Sequence, residues 1–174
     1  MSGETLTTIV AIFLAAILIG IFPMMSIADR NDDIAQLSVQ TSVSDFVDTV
    51  RKTGMITKDK YDALVTNLYA TGNTYKVDVE VQILDDNPSK KTTQMNDKKV
   101  GENTYYSVYT SQIENALAEK GVYILKEGDK ITVTATNTNN TIAQALKNFF
   151  YGLAGNNTYS ISATQTGMVV VSGS

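Results

Sequence analysis

No residue between Thr5 and Ala28 carries a charge, and an ordinary polar chain follows. A helix rises ~1.5 Å per residue and a bilayer core is ~30 Å thick, so about 20 apolar residues suffice to span it. The pattern does not stop at Ala28. Ile34, Leu37, Val39, Val43, Phe46, Val47 and Val50 continue at spacings mostly of three and four, which describes one face of an amphipathic helix. Ser, Gln, Thr and Asp fill the other face, and Thr53-Gly54 supplies a stop. The reading is one helix from about Thr5 to Lys52, roughly 70 Å long at ~1.5 Å per residue. Pro23 lies inside it and should kink or locally unwind it, because proline lacks an N–H and crowds the preceding turn. The alternative is two helices hinged between Pro23 and Asp33.

Beyond Gly54 the periods alternate. Thr57 can cap a helix with Tyr61, Leu64, Val65, Leu68 and Tyr69 on one face and Gly72 as its C′ residue. Tyr75 to Ile83 alternates without a fault and is the clearest strand, with Tyr75, Val77, Val79, Val81 and Ile83 inward. Asp85 to Asn103 reads as an exposed polar loop. A helix is expected from about Tyr105 to Lys120, with Tyr109, Ile113, Ala116 and Leu117 on its apolar face and Gly121 ending it. Val122–Lys126 and Lys130–Thr136 suggest a hairpin around Glu127-Gly128-Asp129. Asn139 or Asn140 then caps a helix whose apolar face is Ile142, Ala145, Leu146, Phe149 and Phe150 and which ends at Gly152. Tyr159, Ile161 and Ala163 alternate in a last strand, and Met168 to Val171 add apolar strand residues.

The fold class that follows is α+β. A long N-terminal hydrophobic helix continues into an amphipathic helix, which packs on a small mixed sheet with additional helices. Three segments result: residues 1–28 as a transmembrane or filament-core helix, 29–54 as its amphipathic continuation, and 55–174 as a head domain.

The apolar run admits three readings. It is a retained transmembrane helix, a cleavable signal peptide, or a helix stored in the bilayer and later packed against copies of itself. Ser26-Ile27-Ala28 places small residues where a signal peptidase reads, ahead of Asp29. Against cleavage, no Lys or Arg precedes the run, which exceeds a usual h-region of about 7–15 residues. Arg30 is the basic residue just beyond it, and counting Lys and Arg alone would keep the head in the cytoplasm. The Thr-, Asn- and Ser-rich head points the other way, and an extracytoplasmic head is the reading adopted.

Composition removes several function classes. The net charge is −4, which argues against a nucleic-acid partner. Lys90-Lys91 and Lys98-Lys99 read as a solvated loop. With no cysteine and no histidine, disulfides, thiolate nucleophiles, imidazole bases and Cys/His metal sites are excluded. The acidic pairs Asp32-Asp33, Asp85-Asp86 and Asp59 with Asp62 lack a convergent geometry, and Asp85-Asp86-Asn87 lacks the alternation of a calcium loop. Asn139-Asn140-Thr141 and Asn156-Asn157-Thr158 are glycosylation-type sequons. Nine tyrosines, three of them at Tyr105, Tyr106 and Tyr109, suit interfaces or plain core filling. No catalytic residue, cofactor or metal is expected, and the chain is not read as an enzyme.

Glu4, the long apolar helix, Pro23 and the amphipathic continuation backing an α+β head resemble the plan of type IV filament pilins and pseudopilins. The segments Phe46–Thr57 and Ala70–Tyr75 look like a family of small anchored proteins encoded with Tad-like secretion and pilus systems of Gram-positive bacteria. The resemblance implies that an acidic residue near the N-terminus pairs with the amine of a neighbouring subunit inside an apolar filament core. Glu4 is the residue placed for that role. Gly3 directly precedes it and no basic leader is present, which departs from the prepilin pattern.

The expected function is a structural pilin-like or pseudopilin-like subunit of a surface filament or secretion apparatus. The alternative is a monomeric tethered binding domain. The expected assembly residues are Glu4, Ile9, Phe13, Leu14, Ile17 and Pro23. The expected partners are further copies of the N-terminal helix, membrane lipid and other pilus or secretion-system subunits. The expected location is the cell membrane with the head outside, or an extracellular filament.

Overall fold

The computed structural model describes residues 3–85, 105–152 and 160–174. Most of the expected loop Asp85–Asn103, Tyr159, the sequon at Asn156 and the side chains of Phe149 and Phe150 lie outside the described residues.

One helix runs from Gly3 to Thr53, 51 residues, or about 75 Å at ~1.5 Å per residue. It comprises α1 (Gly3–Ala16), a π-helical turn (Ile17–Ile21) and α2 (Phe22–Thr53). Pro23 explains the π turn. It offers no N–H to the carbonyl of Ile19 and its ring crowds that carbonyl, so the helix widens there instead of breaking. The helix stops at Gly54, whose φ of 65° and N–H bond to Val50 O (2.8 Å) form a left-handed cap.

The remaining elements are β1 (Met55–Thr57), α3 (Lys58–Tyr69), β2 (Tyr75–Leu84), β3 (Tyr105–Tyr109), α4 (Thr110–Lys120), β4 (Val122–Ile124), β5 (Lys130–Asn137), α5 (Ile142–Gly152) and β6 (Ser162–Met168). The fold is α+β. Its main sheet has the order β3-β2-β5-β6, with every pairing antiparallel, and β1 pairs with β4 in a separate two-stranded ribbon. The register sets Val79 opposite Val133 and Val81 opposite Ile131, so one face of the sheet is apolar. The C-terminal half of α2 lies on that face with α3, giving a core of Val39, Val43, Phe46, Val47, Val50, Leu64, Leu68, Val79, Val81, Ile131 and Val133. Tyr61 joins it edge-on to Phe46, with ring centroids 6.4 Å apart.

Several expectations are corrected. Tyr105–Tyr109 is an edge strand on β2, not the first turns of a helix, and α4 begins at Thr110. Tyr109 is therefore exposed. Val122–Ile124 and Lys130–Asn137 do not form a hairpin, because β5 is already flanked by β2 and β6 while β4 pairs with β1. The turn between them is real. The buried Asp129 carboxylate accepts the N–H groups of Leu84 (3.0 Å) and Lys126 (2.8 Å) and so holds the turn closed. Thr141, not Asn139 or Asn140, caps α5: its Oγ1 accepts the Gln144 N–H (3.1 Å) while Gln144 Oε1 accepts the Thr141 N–H (3.0 Å). That cap turns Ala143 and Gln144 inward and leaves Ile142 and Ala145 exposed. Thr57 precedes α3 but makes no side-chain cap bond, and Tyr69 is exposed. Val169 to Val171 follow the last strand as an irregular tail, with Val169 buried and Val170 and Val171 exposed.

The long helix is strapped to the free edge of β6 at both ends. Gln36 exchanges two hydrogen bonds with the backbone of Ser162 (2.7 and 3.1 Å). Arg51 donates from Nε to Met168 O (3.0 Å), and its own carbonyl accepts the Val170 N–H (3.0 Å). Helix and strand rises agree with this. Gln36 to Arg51 spans ~22 Å of helix and Ser162 to Met168 ~20 Å of strand, so the two run side by side. Gly167 is small because the Arg51 side chain lies where its Cβ would be.

Candidate functional site

The head takes hold of the helix at Ala28. Its buried face is Ala28, Asp32, Ala35, Val39, Val43, Phe46, Val47 and Val50. No residue of α1 or of the π turn is buried. From Gly3 to Ile27 the helix projects as a bare rod, roughly 37 Å long at ~1.5 Å per residue. It is apolar around its whole circumference: Phe13 is 67% exposed and Ile19 78%. A helix of that kind requires lipid or other helices around it. It is long and apolar enough to cross a membrane by length and composition.

Two of the rod's few polar side chains bond back onto the helix itself. Thr7 and Thr8 donate their hydroxyls to the carbonyls of Gly3 and Glu4 (2.8 Å each), four residues back, which suits an apolar environment. The Glu4 side chain is exposed in the first turn and makes no ion pair among the described residues. Ile9, Phe13 and Leu14 are exposed along the rod, Ile17 opens the π turn, and Pro23 is exposed in the first turn of α2. All six expected assembly residues therefore lie on the projecting segment, none held by the head.

The amphipathic half holds a feature that the sequence reading misplaced. Ile34 and Leu37 were assigned to the buried face, but they are 60% and 66% exposed. At about 100° per residue they fall with Ile27 on the side of α2 turned away from the head. The buried side is built partly from small and polar residues instead. Ala28, Asp32 and Ala35 permit close approach of α5 and β6, and Asp32 Oδ2 accepts the Thr141 hydroxyl at 2.6 Å. The spacing 28-32-35-39-43-46-50 was the available signal, but its first three members are not large hydrophobics.

The head contributes two perturbed phenols. Burial, and then its hydrogen bond to Glu114 Oε1 (2.7 Å), pushes Tyr61 well above the usual phenol range. Burial also raises Tyr123, with smaller contributions from Tyr106 and Asp129. Both favour the neutral phenol. Among the described residues no cluster of three or more metal-ligating side chains occurs.

Residues 30–172, nearly all of the chain beyond the apolar segment, match a family model described as PaRep2b protein. No curated protein and no solved structure matches the chain.

Proposed function

The chain belongs to the PaRep2b family, and from its own geometry we propose that it is a structural, pilin-like or pseudopilin-like subunit rather than an enzyme. The observation that carries this reading is the continuity of one helix. Its first half is a bare apolar rod and its second half is bound rigidly into an antiparallel head. A flexible tether would need only the first half. Continuity lets the head and rod move as one body, so that packing of rods fixes the arrangement of heads.

In this proposal the rod sits in the cell membrane with the head outside. It then buries against neighbouring copies, or against other pilus or secretion-system subunits, in a surface filament or assembly apparatus. Ile9, Phe13, Leu14 and Ile17 supply apolar contact. The π turn widens the helix locally at Pro23 without breaking it, so the rod stays continuous with the head. The outward stripe of Ile27, Ile34 and Leu37 extends the apolar surface past the head's first contact, where a neighbour's helix would cover it. Glu4 pairs with the N-terminal amine of a neighbouring subunit, since a lone carboxylate among apolar helices is costly.

The test uses sheared cell-surface material and membranes from the same cells, analysed by intact mass and N-terminal sequencing. The proposal expects high-molecular-weight material whose subunits retain the helix. Glu4→Ala should accumulate in membranes while incorporation into sheared material falls at least tenfold. Normal incorporation of that variant would remove the pairing role. A soluble product beginning at Asp29 would overturn the proposal.

A further inference from the structure

The face of the main sheet turned away from α2 carries a different chemistry from the core. Its rows are Lys76, Thr136 and Ser162; Asp78, Thr134 and Thr164; Glu80, Thr132 and Thr166. The hydroxyls of Thr132 and Thr166, and of Thr134 and Thr164, are bonded to each other across the strands at 3.0 Å. Where β3 ends and α4 begins, this face is walled on one side. The result is a recess of about 460 Å³ lined chiefly by Asp78, Glu80, Tyr109, Ser111, Thr132 and Thr134. That volume falls within the range of small-ligand clefts. The wall is firmly placed, because Thr110 Oγ1 accepts the Val79 N–H (2.7 Å) and donates to Val79 O (3.3 Å). In this way a side chain continues the ladder of β2 beyond the last residue of β3. Tyr109, just before it, stands exposed at the rim.

We propose that this recess binds a neutral saccharide unit. The lining offers carboxylate acceptors, hydroxyls that both donate and accept, and one exposed aromatic ring. Vicinal sugar hydroxyls would donate to Glu80 and Asp78 and exchange hydrogen bonds with Thr132 and Thr134. The C–H face of the ring would lie on Tyr109, which presents a large flat surface at little entropic cost.

Other ligand classes fit less well. Anions are repelled by two carboxylates. An apolar ligand would strip water from the hydroxyl rows without replacing their hydrogen bonds. A cation finds less charge than the two carboxylates suggest, because Lys76 Nζ lies 2.9 Å from Asp78 Oδ2 and Ser107 Oγ donates to Glu80 Oε1 at 2.6 Å; the second oxygen of each carboxylate is left to accept a hydroxyl. The inference does not rest on the assembly reading, because the recess lies on the sheet face opposite the helix.

The test takes the full chain in lipid nanodiscs, since sugar-headed detergents would compete. It is titrated with neutral gluco-, galacto-, manno- and N-acetylglucosamine oligosaccharides by saturation-transfer NMR and calorimetry. The expected result is saturable binding of at least one series, with Kd on the order of 1 mM for a shallow polar site. Saturation should transfer from tyrosine ring protons of the unmodified chain to the sugar's C–H protons. Tyr109→Ala and Glu80→Gln should each weaken binding about tenfold. Ser162→Ala, on the same sheet face but away from the recess and its hydroxyl pairs, should leave it unchanged. Absence of binding across all four series, binding indifferent to both recess variants, or tighter binding of calcium or a lysine-rich peptide would each overturn the proposal. Because one chain per nanodisc is measured, failure here leaves the assembly reading standing.

Discussion

Thr141 joins the last helix to the long one, and its hydroxyl does two things at once. It donates to the buried Asp32 carboxylate (2.6 Å) and accepts the Gln144 N–H (3.1 Å). Thr141→Val keeps the shape and removes both. Loss of an N-cap costs about 1 kcal/mol. Loss of a hydrogen bond to a charged group costs about 1.5–3 kcal/mol. Asp32 is 5% exposed, so water does not readily replace the hydroxyl. The expected destabilisation is therefore about 3 kcal/mol, whereas Thr141→Ser, which keeps the hydroxyl, should cost under ~1 kcal/mol. Urea denaturation of the head, followed by tyrosine fluorescence in the full chain, gives both values. The cycle with Asp32→Ala should return a coupling of about 1.5 kcal/mol or more, because removing the carboxylate removes the need for its partner. If Thr141→Val costs no more than Thr141→Ser, or if the cycle is additive, the Asp32–Thr141 pair does not fasten α5 to α2.

Gly54 and Gly72 both have positive φ, but only Gly54 is crowded, by the backbone of Val171–Gly173. Gly72→Ala should cost about 1 kcal/mol for its backbone conformation, and Gly54→Ala about 3 kcal/mol once displacement of the tail is added, both read by thermal melting. Asp129→Ala strands the N–H groups of Leu84 and Lys126 and should lower stability by about 2–4 kcal/mol, with Asp129→Asn intermediate in the same melts. Tyr61 has a folded pKa raised above its unfolded value of ~10, so its contribution is complete below that pH and is lost as pH rises through the folded value. Tyr61→Phe should therefore show a shallower loss of stability above pH ~10 than the parent chain, and one fewer late-ionising phenol in an ultraviolet titration.

Sequence patterns carried the helices' axes and the central strand, because those depend on local periods. Tyr75 to Ile83 alternates so regularly that the strand is legible without a partner, and Gly54 and Gly121 end their helices at the expected residues. What the pattern could not give was pairing. Tyr105–Tyr109 looks like a helix start because Tyr109 and Ile113 are four apart, yet only β2 makes it a strand. The false hairpin had the same origin: a good turn at Gly128 says where the chain reverses, not which strands then pair.

Faces were misread wherever the largest hydrophobics were not the buried ones. Ile142 is exposed while Thr141 and Gln144 are buried, because a polar capping box decided the rotation of α5. On α2 the same error placed Ile34 and Leu37 inside, while Ala28, Asp32 and Ala35 were overlooked. The projection of the segment that holds the six expected assembly residues was legible. Glu4 to Pro23 precede the head's first contact, and exposure there follows from the helix simply projecting past it.

The central claim is that the projecting rods pack against one another. The chain contains no cysteine, so single cysteines report contacts without background. Phe13→Cys or Leu14→Cys, oxidised in intact cells and run without reductant, should give covalent dimers, as adjacent rods require Cα separations below ~7 Å for a disulfide. Thr134→Cys, on the far face of the sheet, should stay monomeric. Monomers at every rod position from Ile9 to Ile19, under conditions that oxidise a control thiol, would contradict assembly through this helix.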